Sequence, residues 1–411
     1  MFKGLRGHRQ NILGGLVLAF FCLLSLGQLQ RIETAIIPAF YVHELVMLLY
    51  MLVHMNRPSW RTFCWESVRQ VPTLGKVWLG WVGAGLLAAA LTQTLTILSL
   101  LYLGRLAFYV LALVTLALDL HAKTLSPTQV FKGLLTHFAL SIYFGFLQYL
   151  FIPDLRFLFF LGWDDHYYRL ASTLLDPGFT GLVFVLGYNM ALYMYAKTKN
   201  TARRFSSYAL LFLSFLTVLA IALTYSRASY LALSISLIGN VLIWWKKQAH
   251  VARFSLLMMI LFALLVPVLP QPGGEGVNLA RTSTIIARTG SAQAELEHVN
   301  TPLELILGQG LFVQDTIDTS LYSETVSHAK QPDSWLVLVL TGTGVVGAGV
   351  FLLLLVQFLR TSWRTSPFLA LSLIAILVHG MFNASLTYPF VILLYGTWYV
   401  AAHVAHRNAH Q

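Results

Sequence analysis

Residues 205–247 read FSSYALLFLSFLTVLAIALTYSRASYLALSISLIGNVLIWWKK, and this stretch decides the fold class. It contains two apolar runs, 205–224 and 227–245. Each is close to the roughly 20 residues that a helix needs to cross the hydrocarbon of a bilayer. Arg227 and its polar neighbours separate the two runs, and Lys246 and Lys247 close the second one. The stretch therefore predicts two antiparallel membrane helices joined by a very short polar turn.

The rest of the chain repeats this pattern. Of its 411 residues 57% are hydrophobic and 10% are charged, and the mean hydropathy is +0.70. Soluble domains carry about 25% charged residues, so water is not the main solvent of this chain. We expect an all-α integral membrane protein in which residues 1–270 form transmembrane helices 1–9, 271–333 form a large helical loop, and 334–411 form transmembrane helices 10–12 and a tail. The predicted spans are 11–28, 35–55, 77–97, 102–120, 130–152, 177–196, 205–224, 227–245, 254–270, 334–359, 367–384 and 387–405.

The distribution of positive charge predicts the orientation. Most of the 27 Lys and Arg residues lie at span ends that are cytoplasmic if the N terminus is cytoplasmic, as the positive-inside rule requires. Both termini are then inside, and the loops 153–176 and 271–333 lie on the outer face. Topology accounts for the net charge of +11, so nucleic-acid binding is not indicated. Cys22 and Cys64 lie in or beside spans, which does not support a disulfide framework.

Lys and Arg residues on the outer face run against the topological bias and therefore indicate function. Asp176-Pro177, Ser226-Arg227 and Asp333-Ser334 each open a span, and capping alone explains Asp176 and Asp333. Three helix N-termini at one interface nevertheless favour an anion. Five cationic side chains add to this field: Arg169, Arg227, Arg281, Arg288 and Lys330. The expected ligand is a phosphate or diphosphate, whose oxygens arginine binds through two nitrogens.

Arg227 and His328 are the two residues that the sequence most strongly indicates as functional. Arg227 stands before a long apolar run, where a charge is costly and usually functional, although an arginine reaching the outer headgroups is the structural alternative. His328 lies near Lys330 and Asp333, and a histidine of ordinary pKa can take a proton from a sugar hydroxyl. Spacing alone leaves a structural role open, because the chain has 13 histidines. None of them has zinc-site spacing, so we expect no structural metal.

Two other motifs carry structural predictions. Thr301-Pro302-Leu303-Glu304 is typical of a helix start, with Thr as the cap, Pro in the first turn and Glu reaching back. His43-Glu44 lies inside the second predicted span, where an ionisable residue needs a cavity or a partner. A structural pair, either mutual or between helices, and a functional role remain open for it.

These motifs together resemble a known family, the O-antigen ligases, within the wider O-antigen ligase/polymerase superfamily. Thr224 to Ser229 is similar to the superfamily's Ser-Arg-Gly/Ala signature at the outer start of a span. The segment Leu307-Gly308-Gln309-Gly310 resembles its Gly-x-Gly segment late in the large loop. The matching pieces follow the family's order across residues 165–350, and they also include Arg169 to Gly178, His328-Ala329, Asp333 to Leu336 and Gly344 to Gly347.

The histidine motif departs from the family pattern. The family often has His-x-His-Asn, whereas Lys330 and Gln331 occupy the third and fourth places here. An alignment anchored on Gly344 instead sets Gln331 or its neighbours opposite the first histidine. We prefer His328, because it is the only histidine between His298 and His379.

The resemblance implies a GT-C-like glycosyltransferase of lipopolysaccharide biosynthesis in the bacterial inner membrane. Such an enzyme transfers O-antigen polysaccharide from undecaprenyl diphosphate to a sugar hydroxyl of the lipid A core. The transfer takes place at the periplasmic face, with inversion, and needs neither metal nor cofactor. By this resemblance Arg227 and Arg288 bind the diphosphate, with Arg281 as the reserve choice, and His328 is the general base. The remaining expected substrate-binding residues are Arg169, Lys330, Asp333 and Ser226.

Other functions remain open at this point. An O-antigen polymerase and a protein O-oligosaccharyltransferase use the same donor with a different acceptor, but the single dominant outer loop favours the ligase. A transporter of a lipid-linked sugar is the alternative from another class. Transporters usually show inverted repeats with broken helices in matching halves, and the sequence shows neither.

Overall fold

The computed structural model describes residues 2–32, 39–55, 73–161, 163–198, 204–270, 293, 296–297, 299, 301–312 and 334–410. Across these ranges the chain is a bundle of helices, with one short ribbon in which β1 (Arg31–Ile32) pairs antiparallel with β2 (Phe40–Tyr41). The helices, in chain order, are α1 (Phe2–Leu24), α2 (Val42–Met55), α3 (Thr73–Leu91), α4 (Ile97–His121), α5 (Pro127–Phe151), α6 (Pro177–Thr198), α7 (Arg204–Leu223), α8 (Arg227–Trp244), α9 (Ala249–Leu265), α10 (Pro302–Leu307), α11 (Trp335–Thr365), α12 (Pro367–Gly380) and α13 (Pro389–His410).

The long helices make the chain a multi-pass helical membrane protein. By length and composition, seven helices among the described residues can cross a bilayer, namely α4 to α9 and α11. Shorter apolar helices lie within α1, α2, α3 and α12. Each of the twelve predicted spans overlaps one helix, and the twelfth overlaps α13, whose last turns carry His403, His406 and Arg407. The multi-pass fold is confirmed, while the count of about 12 crossings stays a prediction.

Local capping explains several helix boundaries. Thr96 caps α4 by accepting the Ser99 amide, and the Ser99 hydroxyl accepts the Thr96 amide in return. Ser126 and Gln129 form the same reciprocal box at α5. The α3–α4 turn, which the sequence left anywhere from Gln93 to Arg105, lies at residues 92–96. Gln93 has the positive φ of 58° that this tight turn requires.

Helix α6 is the centre of the bundle. Of its most apolar stretch 83% is buried inside the protein, against α5, α7, α8 and α12. Asn189 is fully buried in it and accepts a hydrogen bond from the Asn240 side chain at 3.1 Å. Asn189 also donates to the Ser236 hydroxyl at 3.0 Å. A buried amide needs such partners, so this ladder fixes the register between α6 and α8.

Glu44 belongs to an interhelical ion pair. Its two carboxylate oxygens accept hydrogen bonds from Arg105 of α4 at 2.8 and 3.0 Å, and the Tyr109 hydroxyl is a further partner. Both charged side chains are mostly buried, at 18% exposure for Arg105 and 11% for Glu44. The pair explains how two ionisable groups are accommodated among apolar helices. For the His43-Glu44 motif the structure therefore shows an interhelical pair at Glu44.

The 301–312 segment is attached to α11 at a break in that helix. Thr301 and Glu304 form the predicted capping box of α10, which confirms this helix start. Gly344 interrupts α11 with φ 61° and ψ −171°. Beside this break the backbone amide of Gln309 donates to the Thr341 carbonyl at 2.8 Å, and the backbone amide of Gly310 donates to the Gly342 carbonyl at 2.9 Å. The Gly-x-Gly segment is therefore bound through two backbone amides to carbonyls of α11 just before its break.

Candidate functional site

The described residues between α5 and α6, 152–161 and 163–176, fold back over one face of the bundle. We call this side the loop face, and α6 and α8 both begin there. The Leu155 amide donates to the His166 carbonyl at 2.9 Å, and the Tyr168 amide donates to Pro153 at 2.8 Å. The Leu170 amide continues the pairing to the Leu223 carbonyl at the end of α7. These bonds make the segment an ordered cover of the loop face, and we call it the covering segment.

Polar side chains from the bundle anchor the end of this segment. The Gln148 amide oxygen accepts the backbone amides of Ala171 and Ser172 at 2.9 and 3.2 Å. The Ser172 hydroxyl donates to the Ser141 carbonyl at 2.8 Å. Three residues here have a positive φ without being glycine: Tyr168, Ser172 and Leu175. Such backbone costs roughly 1–3 kcal/mol per residue and concentrates at sites where geometry matters.

The opposite end of the segment is apolar and exposed. A short 3₁₀ helix, Arg156–Leu161, leaves the Phe160 side chain 91% exposed, and Phe157 and Leu161 are exposed as well. Phe151, at the adjoining end of α5, is exposed in the same way. This surface continues from the membrane helix onto the segment, as is typical of the boundary between lipid and water.

The N-termini of α6 and α8 lie side by side at the loop face. Asp176 caps α6 by accepting the Phe179 amide at 2.8 Å, and Ser226 caps α8 by accepting the Ser229 amide at 3.3 Å. The Ser229 hydroxyl donates to the Gly178 carbonyl at 3.0 Å. A Cβ atom at Gly181 would lie 2.3 Å from that hydroxyl oxygen, so glycine allows the close approach. Two positive dipole ends are thereby held at one place.

Arg169 holds the turn that leads into α8. Its Nε atom donates to the Thr224 carbonyl at 3.0 Å, and its Nη2 atom lies 3.5 Å from the Tyr225 carbonyl. Tyr225 has φ 52°, and its hydroxyl donates to the Pro270 carbonyl at 2.6 Å. Burial lowers the pKa of Arg169, Asp176 opposes this effect, and the charge of Arg227 lowers the pKa further. The two arginines are thus close enough to interact, and Arg227 is half-buried at the first position of α8.

Two acidic groups and a histidine lie close to Arg169. One ligand atom each from Asp164, His166 and Asp176 lies within 4.8 Å of the other two. His166 is buried, at 6% exposure, while Asp164 is open to solvent. Burial lowers the pKa of His166 to about 4, and the Arg169 guanidinium acts in the same direction. The imidazole is therefore neutral at pH 7.

A second polar group borders the loop face at the end of α12. The buried His379 ring lies 2.6 Å from the Ser385 hydroxyl and 3.5 Å from the Asn383 amide. Asn383 reaches α6, because a Cβ atom at Gly178 would lie 3.5 Å from its amide nitrogen. Trp335, the first residue of α11, donates to the Leu377 carbonyl at 2.9 Å. The start of α11 and the end of α12 therefore meet here too.

The structure brings three predicted site residues together: Arg169, Arg227 and Ser226. Their roles differ, because Arg169 and Ser226 hold the backbone at the start of α8. The predicted residues Arg281, Arg288, His328, Lys330 and Asp333 lie outside the described residues.

The sequence alone did not indicate that His166, Asp164 or Tyr225 belongs to the site. The run Trp163-Asp164-Asp165-His166 is the signal that could have identified the first two, because it places a histidine beside two carboxylates. Tyr225 needed the fold, since its contacts come from Arg169 and Pro270, far away in the sequence.

Chemically, the loop face can receive an anion. It combines two helix N-termini, two guanidinium groups and a cover made by an ordered segment. Helix N-termini and arginine both favour phosphate oxygens, and burial strengthens each interaction relative to water. A scan against models of protein families gives no match to the chain, and neither does a search of curated proteins.

Proposed function

We propose that this protein is an O-antigen ligase that transfers O-antigen polysaccharide from undecaprenyl diphosphate to the lipid A core. The observation that supports it best is the meeting of Arg169 and Arg227 with two helix N-termini on one face. A lipid-linked diphosphate has an apolar tail and an anionic head, so it requires such a cationic site at the edge of a membrane. In this proposal the loop face is periplasmic, as the positive-inside rule predicts.

Arg227 is the described residue best suited to the diphosphate. It lies at the first position of α8, and Arg169 and Ser226 fix the turn before it. Because Arg169 already binds two backbone carbonyls, it acts as a positioning residue. Arg288, with Arg281 as the reserve choice, is proposed to approach the diphosphate from the large loop. Guanidinium groups stabilise the charge that develops on a diphosphate leaving group.

The proposed reaction is an inverting displacement. The acceptor hydroxyl oxygen attacks the anomeric carbon, and the bond from that carbon to the diphosphate oxygen breaks as the new glycosidic bond forms. The hydroxyl proton passes to His328, and undecaprenyl diphosphate leaves with the bonding electron pair. Lys330 and Asp333 are proposed to help bind substrate near His328.

The alternatives differ in acceptor or in class. An O-antigen polymerase or a protein O-oligosaccharyltransferase would use the same cationic site, so the loop face does not separate them from a ligase. A lipid-linked sugar transporter is favoured by one observation, the break of α11 at Gly344. Transporter sites usually pair two broken helices in matching halves. Among the described residues Gly344 has no such counterpart inside another helix.

The experiment that separates these functions is deletion of the gene, followed by gel analysis of lipopolysaccharide and of lipid-linked polymer. A ligase predicts lipid A core without polymer, while long polymer accumulates on undecaprenyl diphosphate. A core that carries a single repeat would mean a polymerase. An unchanged lipopolysaccharide ladder would refute both and favour a transporter or a protein-glycosylating enzyme.

Variants test the residue roles in the same strain. Arg227→Ala and His328→Ala should each abolish transfer, while the protein remains inserted in the membrane. Arg156→Ala is the matched control, because Arg156 is an exposed arginine on the covering segment that pairs with Asp154 at 2.7 Å. Near-normal turnover by purified His328→Ala would rule out the general-base role. Unchanged binding of the lipid-diphosphate donor to Arg227→Ala would rule out the role of Arg227.

A further inference from the structure

The cluster of Asp164, His166 and Asp176 has the composition of a metal site. Two carboxylates and one imidazole are ligands that Zn²⁺ and Mn²⁺ accept, whereas Mg²⁺ and Ca²⁺ prefer oxygen alone. The three residues come from two places, since Asp164 and His166 lie on the covering segment and Asp176 caps α6. A shared ion would therefore join the segment to the bundle.

His166 points to a ligand more directly than the carboxylates do. Its side chain is 94% removed from solvent, yet neither ring nitrogen has a hydrogen-bond partner. A buried imidazole normally satisfies at least one nitrogen. One of these nitrogens lies within 4.8 Å of oxygens from both Asp164 and Asp176. The backbone of Asp165 interacts with the ring, and metal-bound histidines usually have such an outer partner beside the nitrogen that does not bind the metal.

The geometry needs only a small adjustment. Ligand atoms about 2.1 Å from a common ion lie roughly 3–4 Å apart, so the observed spacing of up to 4.8 Å closes with side-chain movements of about 1 Å. Asp164 is exposed and leaves a path for the ion from water. Asp176 can keep its capping bond to the Phe179 amide, because a carboxylate offers more than one lone pair.

We propose that Asp164, His166 and Asp176 bind one divalent transition-metal ion of the Zn²⁺ or Mn²⁺ class. Three protein ligands leave a coordination position open, as in catalytic rather than structural sites. The open position can take water or a phosphate oxygen. The proposal differs from the sequence expectation of no metal, and it does not rest on the proposed transferase activity.

The neighbouring arginines provide the alternative account of this cluster. Arg169 interacts electrostatically with both Asp164 and Asp176, so the carboxylates already have cationic neighbours. Arginines alone, however, leave the His166 nitrogens without partners. The two accounts give opposite results in a binding experiment, since only the metal site responds to the loss of His166.

The test is calorimetric titration of ZnCl₂ into the purified, chelator-treated full-length protein carrying an affinity tag free of histidine. We expect one ion per chain, and a loss of affinity of at least tenfold in Asp164→Asn and in His166→Gln. Asp165→Asn, an exposed carboxylate next to the cluster, is the matched control and should bind as the wild type does. X-ray absorption at the zinc edge should show imidazole nitrogen together with carboxylate oxygen.

Two results would overturn the proposal. One is the absence of any stoichiometric binding of Zn²⁺ or, in a parallel titration followed by electron paramagnetic resonance, of Mn²⁺. The other is binding that persists unchanged in both Asp164→Asn and His166→Gln. Thermal unfolding of each variant shows whether a loss of binding reflects the site or the fold, and Asp164→Asn is the safer variant because Asp164 is exposed.

Discussion

Replacing Gly344 by alanine should release the 301–312 segment from the bundle. Gly344 has φ 61° and ψ −171°, a backbone region that is almost confined to glycine. A Cβ atom there would lie 2.3 Å from the carbonyl oxygen of Ile306. The atoms that this Cβ would meet belong to the backbone of Ile306 and Gly308, so no side-chain rotation relieves the clash. The chain must therefore either strain α11 or move the segment away.

The size of the effect follows from the free energy that each of these two responses costs. Keeping the segment in place costs about 1–3 kcal/mol of backbone strain before the clash is counted. Moving it away breaks the bonds of the Gln309 and Gly310 amides to α11, as well as the bonds of Thr92 and Thr94 to the Gln309 carbonyl. At about 0.5–1.5 kcal/mol each, these bonds contribute roughly 2–6 kcal/mol. We therefore expect attachment of the segment to weaken by at least about 2 kcal/mol.

Hydrogen exchange at the Gln309 and Gly310 amides measures this attachment directly. A loss of about 2 kcal/mol lowers their protection roughly 30-fold, while amides in the centre of α6 change little. Gly349→Ala is the control, because Gly349 lies in the same helix with open space around its Cβ position. Alanine there should leave the protection unchanged, since it is also the better helix former. Equal protection of both amides in Gly344→Ala and Gly349→Ala would refute the reasoning.

Three further predictions concern other parts of the fold. Arg105→Leu leaves the Glu44 carboxylate buried without its guanidinium partner, so the free energy of unfolding in detergent should fall by about 3–5 kcal/mol. Adding Glu44→Gln to this variant should recover part of the loss. No recovery would contradict the ion-pair account. Arg169→Lys keeps the charge but loses the guanidinium fork that reaches two carbonyls, so the free energy of unfolding should fall by about 1–2 kcal/mol. An equal loss in the exposed control Arg156→Lys would contradict the role of Arg169 in holding the turn before α8. A spin label can replace Phe160 in a chain whose two cysteines are substituted. The label should collide more often with oxygen, which dissolves in lipid, than with a water-soluble nickel chelate. The reverse result would place the 3₁₀ helix Arg156–Leu161 in water.

The sequence was sufficient for features that depend on short stretches of chain. Apolar length predicts the spans, because the bilayer imposes a fixed thickness on every crossing. Capping chemistry likewise acts within four residues, so the helix starts at Thr301, Ser226 and Asp176 could be predicted from their neighbours alone. The structure shows a capping bond at each of them.

Features that depend on distant contacts could not be predicted in this way. No residue near Glu44 in the sequence indicates that Arg105 is its partner, because the pairing follows from how α2 packs against α4. The break at Gly344 depends on Ile306 and Gly308 approaching from a different segment. His166 looks like a surface histidine in sequence, and only the folded structure shows that it is buried.

The central position of α6 has a consequence for biogenesis. Asn189 is buried between helices, and both of its partners, Ser236 and Asn240, lie in α8. During synthesis α6 therefore enters the bilayer with an unpaired amide, which is costly in hydrocarbon, and waits there until α8 has been made. Helix α12, which covers another side of α6, arrives later still. The nascent chain thus passes through a half-assembled stage, at which we expect the translocon or an insertase to shield the Asn189 amide from lipid.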